Sequence, residues 1–125
     1  MATRDVNKLL GVLFLSRDLA HKAHFKTRGI GSDAAHRALG DFYDAVLDKA
    51  DAFAEAWMGC YDETVSVEMQ KEDSDDIIET LRSHVAYIKA NRAKVCGENE
   101  TALLNMLDDV IATYYKALYR LTTLK

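Results

Sequence analysis

The side chains able to hold a transition metal are concentrated in one stretch, from His21 to Glu55. Three of the four histidines (His21, His24 and His36) lie in its first half, and five acids (Asp41, Asp44, Asp48, Asp51 and Glu55) follow in its second. Imidazole nitrogens and carboxylate oxygens together suit iron and similar divalent cations. His21 and His24 are three apart, so on a helix they share a face. Wound at about 100° per residue, His36, Asp44, Asp48, Asp51 and Glu55 fall within an arc of roughly 120°. Taken one at a time, His36 reads as a hydrogen-bonded packing residue and the acidic row as a solvated helix face. Any metal chemistry must start in this stretch, because no other segment brings imidazoles and carboxylates into reach of one another.

Four helices must position these residues. The first is expected to start near Thr3–Asp5, either of which can cap it, and to reach about Lys26. Its stripe of Val6, Leu9, Leu10, Leu13, Ala20 and Ala23 is widened by Val12, Phe14 and Leu15, as if a partner subunit covered the outer side. Thr27–Asp33, with two glycines and a Ser–Asp pair, reads as a turn ending in a helix cap. The second helix follows from about Ala34 to Met58 and is expected to stop at Gly59. Leu39, Phe42, Tyr43, Val46, Ala50, Phe53, Ala54 and Trp57 lie on its core side, with Leu47 at the border of the acidic row.

Gly59–Asp73 reads as a crossover connection, with or without a short helix of its own. Acids at Asp73–Asp76 load the start of a third helix, where the dipole favours them, and it runs to about Val95. Gly97 is the expected C-cap, Asn99 the cap of a fourth helix that runs to about Leu121. Two long helices, a long connection and two more long helices predict an all-α, single-domain protein over residues 1–125. The architecture is a four-helix bundle with a long crossover between helices two and three, the topology of ferritin-like folds.

Composition narrows the function classes. The chain has 125 residues, 49% hydrophobic and 29% charged, with no proline. A net charge of −4 argues against a non-specific grip on nucleic acid, which needs a basic patch. The apolar run Leu9–Leu15 is too short for a membrane span, is flanked by charge and lacks a cleavage pattern, so a soluble cytoplasmic protein is expected. Cys60 and Cys96 are too few and too far apart for a zinc site or a disulfide framework, and read as reduced structural thiols. Neither has a histidine near it in sequence, so nucleophilic catalysis finds no support. Trp57 reads as a packing anchor, and Tyr114, Tyr115 and Tyr119 as a core or interface cluster.

The string from Ala23 to Glu55 resembles the Dps family, ferritin-like mini-cages that oxidise and store iron in bacteria. The residues that carry the resemblance are Ala23-His24-Phe25, Arg28-Gly29, His36, Leu39, Phe42, Asp51 and Ala54-Glu55. In that family a histidine followed by an aromatic, usually Trp and here Phe25, ends the first long helix. A second histidine comes twelve residues later, an Asp fifteen after that and a Glu four beyond. His24, His36, Asp51 and Glu55 fit every interval. The resemblance implies a homo-oligomer, in the family a dodecameric cage, with a site shared across a two-fold interface. The histidines of one subunit would face the Asp and Glu of its neighbour, binding iron that peroxide or dioxygen oxidises.

This chain also departs from the family. A further Asp is expected four residues after the second histidine, where this chain has Gly40. The metal site is weakened or lost unless His21, one turn before His24, or Asp44, one turn further along helix two, replaces that ligand. No lysine-rich tail precedes the first helix: MATRDVNK holds only Arg4 and Lys8. Twelve acidic chains would repel DNA, so DNA binding is not expected. His84 follows Glu79 by five, so helix three lacks the Glu-x-x-His pair of an intra-bundle di-iron centre. The short form with Phe42-Tyr43-Asp44 is also similar to Dps-related proteins encoded by bacteriophages. The alternative function is thus a non-catalytic helical-bundle structural or interaction protein that keeps a Dps-like scaffold.

Overall fold

Apolar residues recurring at three- and four-residue steps wind into a stripe on each of four helices, and the stripes turn inward. The computed structural model describes residues 3–124. Among them are α1 (Thr3–Phe25), α2 (Ser32–Tyr61), α3 (Ile77–Val95) and α4 (Thr101–Thr123), and no strand. Both α1 and α4 pack against α2 and against α3, which leaves α1–α4 and α2–α3 as the diagonals of a helical bundle. Leu9, Leu10 and Leu13 of α1, Phe53 and Trp57 of α2, Leu81 and Ile88 of α3, and Leu107 and Tyr114 of α4 form its fully buried centre. Each such side chain contributes about 1.5–3 kcal/mol by leaving water.

The helix ends differ from expectation in ways that have local causes. Glycine does not end α2 at Gly59, which faces open space and lets the helix continue. The helix stops at Asp62, whose left-handed backbone (φ 53°) lets its N–H reach the Met58 carbonyl. At the other end Gly31 (φ 82°) occupies the cap position with no side-chain bond, while Ser32 and Asp33 are already helical. The α3 cap is Asp76, whose carboxylate accepts the Glu79 N–H. At its C-terminus α3 leaves through Cys96 in an extended conformation rather than through a left-handed Gly97. Glu100, not Asn99, precedes α4. The first residue of α1 is Thr3, whose hydroxyl is given to Glu63, and any cap before it lies outside the described residues.

Residues 62–76 contain no helix and lie as an extended strap along α1. Glu63 accepts from Thr3, Ser66 N–H donates to the Asn7 side chain, and Glu68 N–H donates to the Asn7 carbonyl. Further along, Lys22 pairs with Asp73 and Lys26 with Asp75. On the outer side of α1 Val12 is covered by the chain itself, at 7% exposed, while Phe14 and Leu15 stay half-buried. No described helix is long and apolar enough to cross a membrane.

Candidate functional site

His24 lies in the last turn of α1 and His36 in the second turn of α2, and the Thr27–Gly31 connection folds them together. Their rings stack with centroids 3.6 Å apart at 22°. His24 Nδ1–H donates to the His36 carbonyl at 2.8 Å, and His36 Nδ1–H donates to the His24 carbonyl at 3.1 Å. The His24 carbonyl is among the unpaired acceptors at a helix C-terminus, and the Thr27 hydroxyl bonds it as well. Because each acceptor is a carbonyl, each Nδ1 must carry hydrogen. Both rings are thereby held in the tautomer that leaves the Nε2 lone pair free, the arrangement that orients metal-binding histidines.

An aromatic frame holds the pair. His21 does not join it as a third donor; its ring stacks on Tyr43 (4.2 Å) and on Phe25 (4.8 Å). Tyr43 also meets His24 edge-on at 5.4 Å. Gly40 lies directly against the pair: a Cβ there would stand 3.5 Å from His24 Cε1. A Cβ at this position is in ordinary van der Waals contact with the His24 ring.

The acids lie elsewhere. Asp44, Asp48, Asp51 and Glu55 are all exposed along α2, and Leu47 is half-buried at their border. Asp51 is fifteen residues beyond His36 on the same straight helix, about 22 Å along its axis. Within one chain Asp51 and Glu55 therefore cannot share an ion with the histidines, and among the described residues no three His, Cys, Asp or Glu side chains form a metal-holding group. Asp41, off the acidic row, is taken by Arg120 at 2.6 Å. A cavity of about 270 Å³ opens nearby, lined by Ala23, Thr27, Leu39, Ile78 and Leu121 among others, and no histidine lines it.

A second polar cluster lies inside the bundle. Tyr114 O–H donates to Ser16 Oγ at 2.6 Å, and Ser16 Oγ lies 2.6 Å from His84 Nδ1. His84 Nε2 faces the Glu72 carboxylate on the strap at 3.5 Å. Nε2 therefore carries the hydrogen, Nδ1 accepts from Ser16, and one directed chain runs from the core to the surface. Ser16 and Tyr114 are 0% exposed and His84 5%. Burial lowers the His84 pKa, with Glu72 opposing, and pushes the Tyr114 phenol far above its ordinary range, with Ser16 opposing. Serine, histidine and carboxylate occur here in the order of a nucleophilic triad, yet Ser16 is sealed in and no substrate carbonyl can reach it.

Sequence reading missed this chain of bonds. Its signal was a polar residue on the apolar stripe of each of two helices, Ser16 between Leu13 and Ala20 and His84 between Leu81 and Val85, facing the Tyr114 phenol on the stripe of α4. Tyr115 and Tyr119, grouped with Tyr114 by sequence, are exposed.

No curated protein and no solved structure matches this chain. Residues 24–121, starting on His24 itself and spanning α2, α3 and nearly all of α4, match a family of unknown function, DUF5856. With most of its length inside that match, the chain belongs to this family of unknown function, DUF5856.

Proposed function

We propose that this chain is a Dps-like member of the ferritin superfamily that self-associates through two-fold contacts and takes ferrous iron as substrate between subunits. The observation that carries the reading is the reciprocal His24–His36 lock, which occupies both Nδ1 atoms and leaves both Nε2 atoms without a hydrogen-bond partner among the described residues. Asp51 and Glu55 of a second copy would supply the carboxylates. Their exposure, and the absence of any salt bridge to them among the described residues, leaves them free for this role. The strap supports the ferritin-like topology: its contacts run from Thr3 at the start of α1 to Lys26 just past its end, the path a crossover takes when α2 and α3 run parallel.

The chemistry would be oxidation: two ferrous ions give one electron each to peroxide, which takes up two protons and leaves as two waters. The chain's own part is to hold neutral imidazoles ready and to place carboxylates where the ferric product gathers charge. The test is anaerobic loading with ferrous ion, then peroxide, following ferric absorbance. A rate no faster than that of a His24→Ala, His36→Ala double variant would sink the enzymatic reading.

The second reading is a structural or interaction protein on the same scaffold, and Gly40 favours it, since no carboxylate of the chain accompanies His24. Light scattering with metal analysis separates the two. An iron-bearing large oligomer supports the first, and a metal-free monomer or small oligomer supports the second.

A further inference from the structure

The last turns of α2 lie against the α3–α4 connection, and this junction holds both cysteines of the chain. Cys60 is not beyond the helix end, as the sequence implied, but inside the final turn of α2. Trp57 donates its indole N–H to the Val95 carbonyl at 2.7 Å, and Gly97 N–H donates to the Tyr61 phenol oxygen at 2.8 Å. Val95 and Gly97 flank Cys96 in sequence, while Trp57 and Tyr61 share one face of α2, with Cys60 about 60–100° around the helix from it. The two bonds thus join the turns of α2 that carry Cys60 to the residues on either side of Cys96.

Glu100 joins them. The Cys60 thiol faces its carboxylate, and the Glu100 side chain lies 3.7 Å from where a Cβ on Gly97 would stand. Burial first, and charge on Cys60 and Glu100 after it, raise the Cys96 pKa, with Arg92 opposing. Cys60 is exposed and Cys96 buried. Cys96 is also outside the helical ladder, with an extended backbone, and its thiol makes only a weak 4.0 Å approach to the Arg92 carbonyl. Turning away from Arg92 gives up little.

We propose that Cys60 and Cys96 form an intramolecular disulfide when the protein meets a hydroperoxide, Cys60 reacting first and Cys96 resolving it. The Cys60 thiolate attacks one oxygen of hydrogen peroxide, the O–O bond breaks, and hydroxide leaves with the electron pair, giving a sulfenic acid. Cys96 sulfur then attacks the Cys60 sulfur, the S–O bond breaks, and the hydroxyl leaves as water with the Cys96 proton. Overall two thiols lose two electrons and two protons, and peroxide becomes two waters. The bond ties the end of α2 to the α3–α4 connection and encloses the strap and α3 in a covalent loop. It is independent of the histidine pair.

Desolvation first and Glu100 second hold the Cys60 thiol above its ordinary range, so its reaction calls for sustained peroxide or alkaline pH. The test exposes the full chain to hydrogen peroxide at mildly alkaline pH, with diamide as a second oxidant, blocks residual thiols and maps peptides without reduction. The expected product is a Cys60–Cys96 linked peptide, two hydrogens lighter, reversed by dithiothreitol and absent from Cys60→Ser. The oxidised protein should melt above the reduced one, and Glu100→Gln should react faster. Cys60 is exposed, so Cys60→Ser keeps the comparison sound even if Cys96→Ser fails to fold. Sulfinic acid at Cys60 beside a free Cys96 thiol, a Cys60 cross-link between chains, or two thiols surviving both oxidants would each overturn the proposal.

Discussion

The carbonyl oxygen of Glu68 stands 1.8 Å from where a Cβ on Gly11 would be, so the strap lies in a notch that only glycine leaves open. Helix propensity alone would favour alanine there by about 1 kcal/mol. Contact decides the other way. Gly11→Ala must push the Glu68 backbone outward and break its N–H bond to the Asn7 carbonyl. The expected outcome is a net loss of about 1–3 kcal/mol in denaturant unfolding, as for other overpacked sites. Limited proteolysis within residues 62–76 should accelerate in parallel. A variant as stable and as resistant as the parent would mean that the strap does not rest on α1.

Ser16 stands between two groups that have no other partner in the bundle's interior, and this makes its removal worse than that of either neighbour's polar atom. Tyr114→Phe deletes one phenol hydroxyl and leaves Ser16 still bonded to His84, a loss of about 1 kcal/mol. Ser16→Ala leaves both the Tyr114 O–H and His84 Nδ1 buried and unsatisfied, at about 1–3 kcal/mol for each group. Urea unfolding of both single variants and the double variant checks the order. In the double variant only His84 is unsatisfied, so it should be more stable than Ser16→Ala alone.

The helices were legible because each carries a 3.6-residue apolar stripe, and the start of α3 was legible because acids crowd it at Asp73–Asp76. Helical spacing alone set His21 beside His24 and His36 with the acids of α2; the His24–His36 pairing depends on how the connection between α1 and α2 folds the two helix ends together. What escaped sequence reading depended on distant contacts. The strap's path is set by Asn7 and Gly11, some 57 to 61 residues from its bonding partners, Glu68 N–H being given to Asn7. No local pattern announces such a register. Ser16, His84 and Tyr114 come from three helices, 68 and 98 residues apart. Gly59 misled because it faces open space, and there glycine carries no stop signal.

His84 makes stability depend on mild acid. Burial lowers its pKa in the folded protein below the ordinary 6.5, and Glu72 only partly restores it. The unfolded chain therefore takes up the proton first as pH falls. Its contribution is complete above about pH 6.5, shrinks as pH drops toward the folded pKa, and levels off below it. Urea midpoints should fall between about pH 7.5 and pH 5, and the fall should be smaller in His84→Gln. Glu72→Gln removes the group that raises the histidine, so its acid loss should be larger and extend to lower pH. A Glu72→Gln profile parallel to the parent's would mean that the strap carboxylate does not act on His84.

Gly40 decides whether the histidine pair can hold a metal ion strongly within one chain. A Cβ there meets His24 Cε1 at 3.5 Å and Nδ1 at 3.7 Å, ordinary van der Waals contact, so a Cβ is accommodated without moving α1. Exchanging glycine for aspartate inside a helix changes propensity by only a few tenths of a kcal/mol, so the fold should survive. The new carboxylate would lie beside imidazoles already held in the metal-ready tautomer. Cobalt(II) or zinc affinity measured by calorimetry should rise at least about tenfold, near 1.4 kcal/mol. Adding His24→Ala to Gly40→Asp should abolish that gain while leaving the unfolding midpoint close to that of His24→Ala alone. If Gly40→Asp binds no more tightly than the parent, His24 is not a ligand, and the pair serves only to fasten the end of α1 to the start of α2.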